Sequence, residues 1–153
     1  MSADVPRPHA ERVAAARLRL AQDFQMWLST GGHAGPHLIP VAFVADGDAL
    51  VTATGEGSRT VRNLRETGRA RLAVGTTADV VMVDAALDDL VPVPRIATDV
   101  ADRFAAVSHD PRERPGNVYI RLLPQRIQVW NGFHEFPGRT VMLKGDWLPE
   151  PAD

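Results

Sequence analysis

The stretch Pro36–Arg71, PHLIPVAFVADGDALVTATGEGSRTVRNLRETGRAR, limits what this chain can fold into more than any other. It reads as strand, tight turn, strand, glycine-rich corner and short basic helix. Leu38–Val44 is too short for a helix and rich in branched residues, which suits a mostly buried strand. Asp46-Gly47 is a hairpin turn, because glycine accepts the positive φ such turns demand. Ala49–Thr54 returns as the partner strand. Gly55-Glu56-Gly57 turns the corner, Ser58 caps a helix predicted from Arg59 to Thr67, and Gly68 stops it.

The charges of that helix conflict with its dipole. Arg59 and Arg62 occupy the first turn, where the macrodipole disfavours a cation by roughly 0.3–1 kcal/mol each. Five arginines and one glutamate between Arg59 and Arg71 give a local charge of +4 in a chain of net charge −2. A bound anion would remove the conflict, since first-turn N–H groups and guanidinium forks both suit phosphate. The alternative is that these arginines simply solvate an outer helix face.

The remaining sequence reads as one domain over residues 10–153, preceded by residues 1–9 without fixed structure. Ala10–Asp23 fits an amphipathic helix with Val13, Leu18 and Leu20 on its apolar side. Phe24–Thr30 is a strand, and Arg71–Gly75 and Val80–Ala85 are a further pair. Pro92 and Pro94 end a connecting loop, and Ala97–Val107 is a helix carrying Val100, Phe104 and Val107 on one face. Asn117–Val129 is a long strand or strand pair that Pro124 must break, bulge or leave at an edge. Thr140–Leu143 and a Gly145-Asp146 turn follow. About six strands joined by short turns, with helices between them, favour a small antiparallel barrel, which also removes exposed edges.

Several functions are excluded or unsupported. A pI near 6.2 argues against a general nucleic-acid binder despite the basic cluster. With no cysteine there is no disulfide, thiolate nucleophile or cysteine zinc site. No apolar run approaches membrane-spanning length, and Arg17 and Arg19 interrupt the only signal-like segment, so a cytoplasmic location is expected. Thr60 stands where a third glycine would complete a dinucleotide fingerprint, and no P-loop is present. His33 and His37 flank a turn rather than share a helix face, so no metal site is assigned. Ser29, Ser58 and Ser108 lack a nucleophile elbow. On hydrophobicity alone, Trp130 is barrel core.

The Pro36–Arg71 pattern resembles the FMN-binding split-barrel superfamily, the pyridoxamine 5′-phosphate oxidase-like proteins. The residues that carry it are Gly35-Pro36-His37-Leu38-Ile39-Pro40-Val41-Ala42-Phe43, Asp46-Gly47, Thr54-Gly55, Ser58-Arg59-Thr60-Val61-Arg62-Asn63-Leu64 and Gly68-Arg69-Ala70-Arg71-Leu72. A second block, Arg121–Gly132, is similar to the family segment that ends in a tryptophan and glycine. The resemblance implies a mainly β fold with flanking helices, a six-stranded antiparallel split β-barrel, forming a homodimer. It also implies an oxidoreductase using FMN, or the deazaflavin coenzyme F420, on a small molecule.

Carried over residue by residue, it assigns Arg59, Ser58, Thr60 and Arg62 to the cofactor phosphate. Ile39–Ala42, including Pro40 and Val41, with Ala53 and Thr54 would line the ring system. Trp130 would close the site from the second subunit. Two departures stand out. Thr60 replaces the family's lysine, and a hydroxyl can donate to phosphate but supplies no charge. Phe133–Arg139 does not spell the substrate motif of true pyridoxamine-phosphate oxidases, so their substrate does not carry over; Arg139 could serve as a displaced cofactor arginine. No residue is assigned as catalytic. The rival reading is a non-catalytic module that carries or sequesters flavin or haem.

Overall fold

In the computed structural model, which describes residues 4–153, α1 (His9–Gln22) leads into the antiparallel pair β1 (Gln25–Gly32) and β2 (Gly35–Ala42). β3 (Val44–Asp46) and β4 (Ala49–Gly55) form the Asp46-Gly47 hairpin. Then come α2 (Arg59–Thr67), β5 (Arg69–Gly75), β6 (Asp79–Pro92), α3 (Thr98–Val107), β7 (Asn117–Asn131), β8 (Thr140–Leu143) and β9 (Asp146–Trp147).

The sheet runs β2-β1-β5-β6-β7-β4-β3, with β8 and β9 added beside β7. Its two ends, β2 and β3, are consecutive in the chain and joined through Phe43, whose amide donates to Phe24 O at 3.0 Å. The sheet therefore curls on itself. The mainly antiparallel β architecture with three flanking helices agrees with the expected class, and the described residues form nine strands rather than six.

The difference in strand number has identifiable causes. β6 does not stop at Ala85: it continues through Asp88 and Asp89 to Pro92, in the segment expected to be a connecting loop. Those aspartates sit beside a bulge and face Arg121, with Asp88 Oδ2 at 3.2 Å from its Nε. β7 runs unbroken past Pro124, because a second bulge skips Gln125 and pairs Ala85 with Pro124 directly. A bulge excuses the proline from the ladder donor it lacks.

Two apolar layers result. The barrel interior holds Leu28, Leu72, Val83, Ile127 and Val61. A second cluster lies under α3, where Phe104 and Val100 meet Val51, Ala53 and Tyr119. β4 is buried on both faces, which explains its continuous apolar run.

Helix α1 departs from its amphipathic reading in two ways. Leu18 is 55% exposed, whereas Arg12 is buried in line with Ala16 and Leu20. The reason is Glu135, a fully buried carboxylate in the β7–β8 connection. Arg7 grips it with Nε and Nη2, each at 2.8 Å, and Asn131 N donates at 2.7 Å. Arg12 Nη1 donates to Glu135 O at 2.8 Å and Pro137 O at 3.1 Å. The stretch expected to lack structure over residues 1–9 is thus held at Arg7, while residues 1–3 lie outside those described.

The Arg7 hydrogen bonds push the Glu135 carboxyl down to about 2. A depressed carboxyl stabilises the fold above its unfolded value and loses that effect as pH falls through the folded one. The full shift corresponds to about 3 kcal/mol, and solvent at the partly exposed Arg7 reduces it to about 1–2 kcal/mol. Glu135→Gln is therefore expected to lower urea stability at pH 7 by about 1–2 kcal/mol, and to flatten the decline between about pH 5 and pH 2. An acid limb equally steep in variant and parent would remove Glu135 from this role.

Candidate functional site

The glycine corner delivers α2 to the mouth of the barrel. Ser58 Oγ accepts from Val61 N at 3.2 Å, and Gly68 ends the helix in the left-handed region at φ 67°. Val61 and Leu64 face the interior, and Asn63 Nδ2 donates to Thr30 Oγ1 of β1 at 3.1 Å. That contact requires glycine opposite it: a Cβ at Gly32 would lie 2.2 Å from Asn63 Oδ1. The helix bounds and caps are those predicted from the sequence.

With Ser58 as N-cap and its oxygens serving Val61 and Arg62, the amides of Arg59 and Thr60 are the first-turn donors that no helical carbonyl can reach. The arginines beside them turn outward. Arg59 Nη2 donates to Ala34 O at 2.9 Å, and Arg62 Nη1 donates to Gly57 O at 2.7 Å. Neither has a carboxylate partner among the described residues. Both guanidiniums keep donors to spare beside the positive end of a helix, an arrangement that suits a phosphate.

Thr60 does not fit the role its hydroxyl was assigned. It is 1% exposed, and its Oγ1 is sealed inside without a hydrogen-bond partner among the described residues. Position 60 can serve an anion through its amide, not its side chain. A lysine ammonium in the place of this side chain would have to be desolvated or displace the helix.

The other assigned residues are spread along the strands. Pro40 and Val41 lie on β2, an end strand of the sheet, and line a cleft of about 480 Å³ with Trp27, Met26 and Ala73. Pro40 is roughly 17 Å of strand from Gly35, where Arg59 is anchored. Thr54 is half-buried at the end of β4. Ala53 turns its side chain into the α3 cluster opposite Tyr119, so only its backbone can border a ligand. Tyr119 was not singled out from the sequence. Burial raises its phenol, and its hydroxyl has no partner among the described residues.

Trp130 is not interior core. It is half-buried across from Val80, and its ring meets Phe136 edge-on at 5.4 Å. Phe136 in turn contacts Phe133, which is 84% exposed. Arg139 sits over Phe136, donates to Phe136 O at 2.8 Å and lies 3.8 Å from Asp153. Within one chain Trp130 is far from the corner. Val118 pairs with Thr54, and Trp130 lies roughly 35–40 Å further along β7. Another cleft, of about 990 Å³, lies elsewhere again, over Gly31, Gly35, Arg69, Arg71 and Asp84. Gly35 also touches Arg59, so the corner borders it.

A curled antiparallel sheet with an arginine-flanked, serine-capped helix at its mouth defines the split-barrel class. The sequence profile of pyridoxamine 5′-phosphate oxidase matches residues 13–131, so the chain belongs to this family. None of the curated proteins matches it. Solved structures share the fold at low identity. An "F420 Reductase" is 20% identical with TM-score 0.60, covering 72% of this chain and 94% of its own. HutZ, the haem storage protein from Vibrio cholerae, is 16% identical with TM-score 0.62, covering 84% and 100%. An FAD-binding protein from Mesorhizobium loti is 15% identical with TM-score 0.60, covering 74% and 90%.

Thr60→Val tests the position directly. Removing a buried, unpaired hydroxyl at constant shape is expected to leave stability unchanged or raise it by about 1 kcal/mol. Thermal unfolding checks this, and a loss above about 1 kcal/mol would mean that the hydroxyl has a partner.

Proposed function

We propose that this protein binds FMN or the deazaflavin F420 and acts as an oxidoreductase on a small molecule. The observation that carries the reading is the first turn of α2, where two amides without helical acceptors stand beside Arg59 and Arg62. The residues fit a phosphate with one amendment: Ser58, Arg59 and Arg62 contribute side chains, and Thr60 contributes its amide. The ring system would lie along Pro40 and Val41 and past the backbone of Ala53 and Thr54. The family membership and the neighbours named for F420 reduction and FAD binding support a cofactor of this kind.

When bound, such a cofactor supplies the hydride chemistry, and the protein binds, orients and excludes water. The chain's own part follows from its geometry. The guanidiniums fix the anionic end, and the apolar Trp27, Pro40 and Val41 shield the rings. A second copy supplies Trp130, because a single chain leaves it too far from the corner. Phe24, Trp27 and Leu38 are large exposed apolar residues on or beside β1 and β2, which supports burial against that copy. Stable interfaces of this kind bury on the order of 2,000 Å² or more.

The sealed Thr60 hydroxyl, with no charge where the family has lysine, favours one other reading. That reading is a carrier that holds flavin or haem without turnover; HutZ, named for haem storage, shares the fold.

Arg59→Ala is expected to weaken binding of the phosphorylated cofactor about ten- to a hundredfold, since a charge-assisted contact is worth roughly 1.5–3 kcal/mol. Its melting temperature should stay level or rise slightly. Fluorescence titration and calorimetry check both halves, and unchanged affinity would end the phosphate assignment. Light scattering should give a dimer at micromolar concentration. A particle of 16.6 kDa would contradict it.

A further inference from the structure

The cleft over Arg69, Arg71 and Asp84 is not needed for the reading above, yet its chemistry is specific. Its floor includes the small residues Gly31, Gly35 and Ala86, which leave room above the sheet. Its volume of about 990 Å³ lies at the upper end for small-molecule sites. Across the floor the ladder sets Arg71 opposite Asp84, and Asp84 opposite Arg126. One carboxylate thus holds two guanidiniums, with Arg71 Nε at 3.1 Å from Oδ1 and Arg126 Nε at 3.1 Å from Oδ2.

The carboxylate does not satisfy them. Arg126 Nε has no aligned hydrogen-bond acceptor among the described residues despite that distance. Arg69, one step along β5, also lines the cleft and has no carboxylate partner among the described residues. Arg69, Arg71 and Arg126 against Asp84 leave a local charge of +2 in a chain of net charge −2. The three side chains of the ion-paired row are each 40–49% exposed; Arg71 and Asp84 line the cleft, and Arg126 stands beside it. Guanidiniums with donors to spare over an accessible floor are built to take up a doubly charged anion.

We propose that this cleft is a second ligand site, for a small organic dianion carrying two carboxylates or a phosphate. Arg69 and Arg71 hold the charge, Arg126 adds to it, and Asp84 bridges Arg71 and Arg126 when the site is empty. Asp84 therefore competes with the ligand for the same donors.

The test is isothermal titration calorimetry of the full chain with glutarate and with pyrophosphate. The parent should bind at least one with a Kd of about 1 mM or below. Glutarate alone would mark a dicarboxylate site, pyrophosphate alone a phosphate site, and both a site that reads charge; each supports the proposal. The double variant Arg69→Ala/Arg71→Ala should lose at least about tenfold in affinity, while keeping its circular dichroism melt and its FMN affinity. Asp84→Asn should bind about three- to tenfold tighter. Asp88→Asn makes the same change in net charge beside Arg121, away from the cleft, and should leave affinity unchanged. No heat with either probe up to roughly 20 mM would overturn the proposal. So would undiminished binding by the double variant, or equal gains from Asp84→Asn and Asp88→Asn.

Discussion

The β6–β7 ladder is what the rest of the structure depends on. It runs from Asp79 opposite Asn131 to Pro92 opposite Val118, and it borders both apolar layers. Val81, Val83 and Ile127 face the barrel interior at one end, and Val91 and Tyr119 face α3 at the other. Crossing from one layer to the other demands bending, and the two register shifts after Asp84 and Leu87 supply it. The other strands build outward from this pair: β5, β1 and β2 in turn beyond β6, and β4 with β3, and β8 with β9, beyond β7. The corner helix is held against β1, which reaches the ladder through β5. The position of the candidate phosphate site is therefore a consequence of that ladder.

What the sequence made legible was local. Ser58, Arg59–Thr67 and Gly68 form the expected cap, helix and stop, because each rests on neighbours within four residues. The Asp46-Gly47 hairpin and Thr140–Leu143 rest on equally short-range signals. What was not legible depends on partners far away in the chain. Asp88 and Asp89 lie in a segment expected to be a connecting loop, and their place in a strand depends on Arg121 across from them. The burial of Arg12 depends on the Glu135 and Pro137 carbonyls, which arrive from the β7–β8 connection. Trp130 reads as core until the topology puts its side chain beside Phe136 on the outside.

The candidate site divides along the same line. Arg59 and the first-turn amides were visible in the sequence, since their charge conflict with the helix dipole is a local property. The side-chain direction of Thr60 was not, because a residue in the first helical turn can face either solvent or barrel. Here the barrel wins: α2 must bury Val61 and Leu64, and Thr60 turns in with them. The spread of the remaining residues carries a further consequence. Pro40 and Arg59 belong to one chain's surface, whereas Trp130 lies roughly 35–40 Å of strand away from the corner.

The central claim is that the first turn of α2 recognises a phosphate. The most direct measurement is the affinity of the parent protein for FMN and for F420, each against its phosphate-free riboside, by fluorescence titration at two salt concentrations. The account predicts that at least one phosphorylated form binds at least about tenfold more tightly than its riboside, with the preference shrinking as salt rises. Equal affinity for phosphorylated and phosphate-free forms of both cofactors, at either salt concentration, would contradict it.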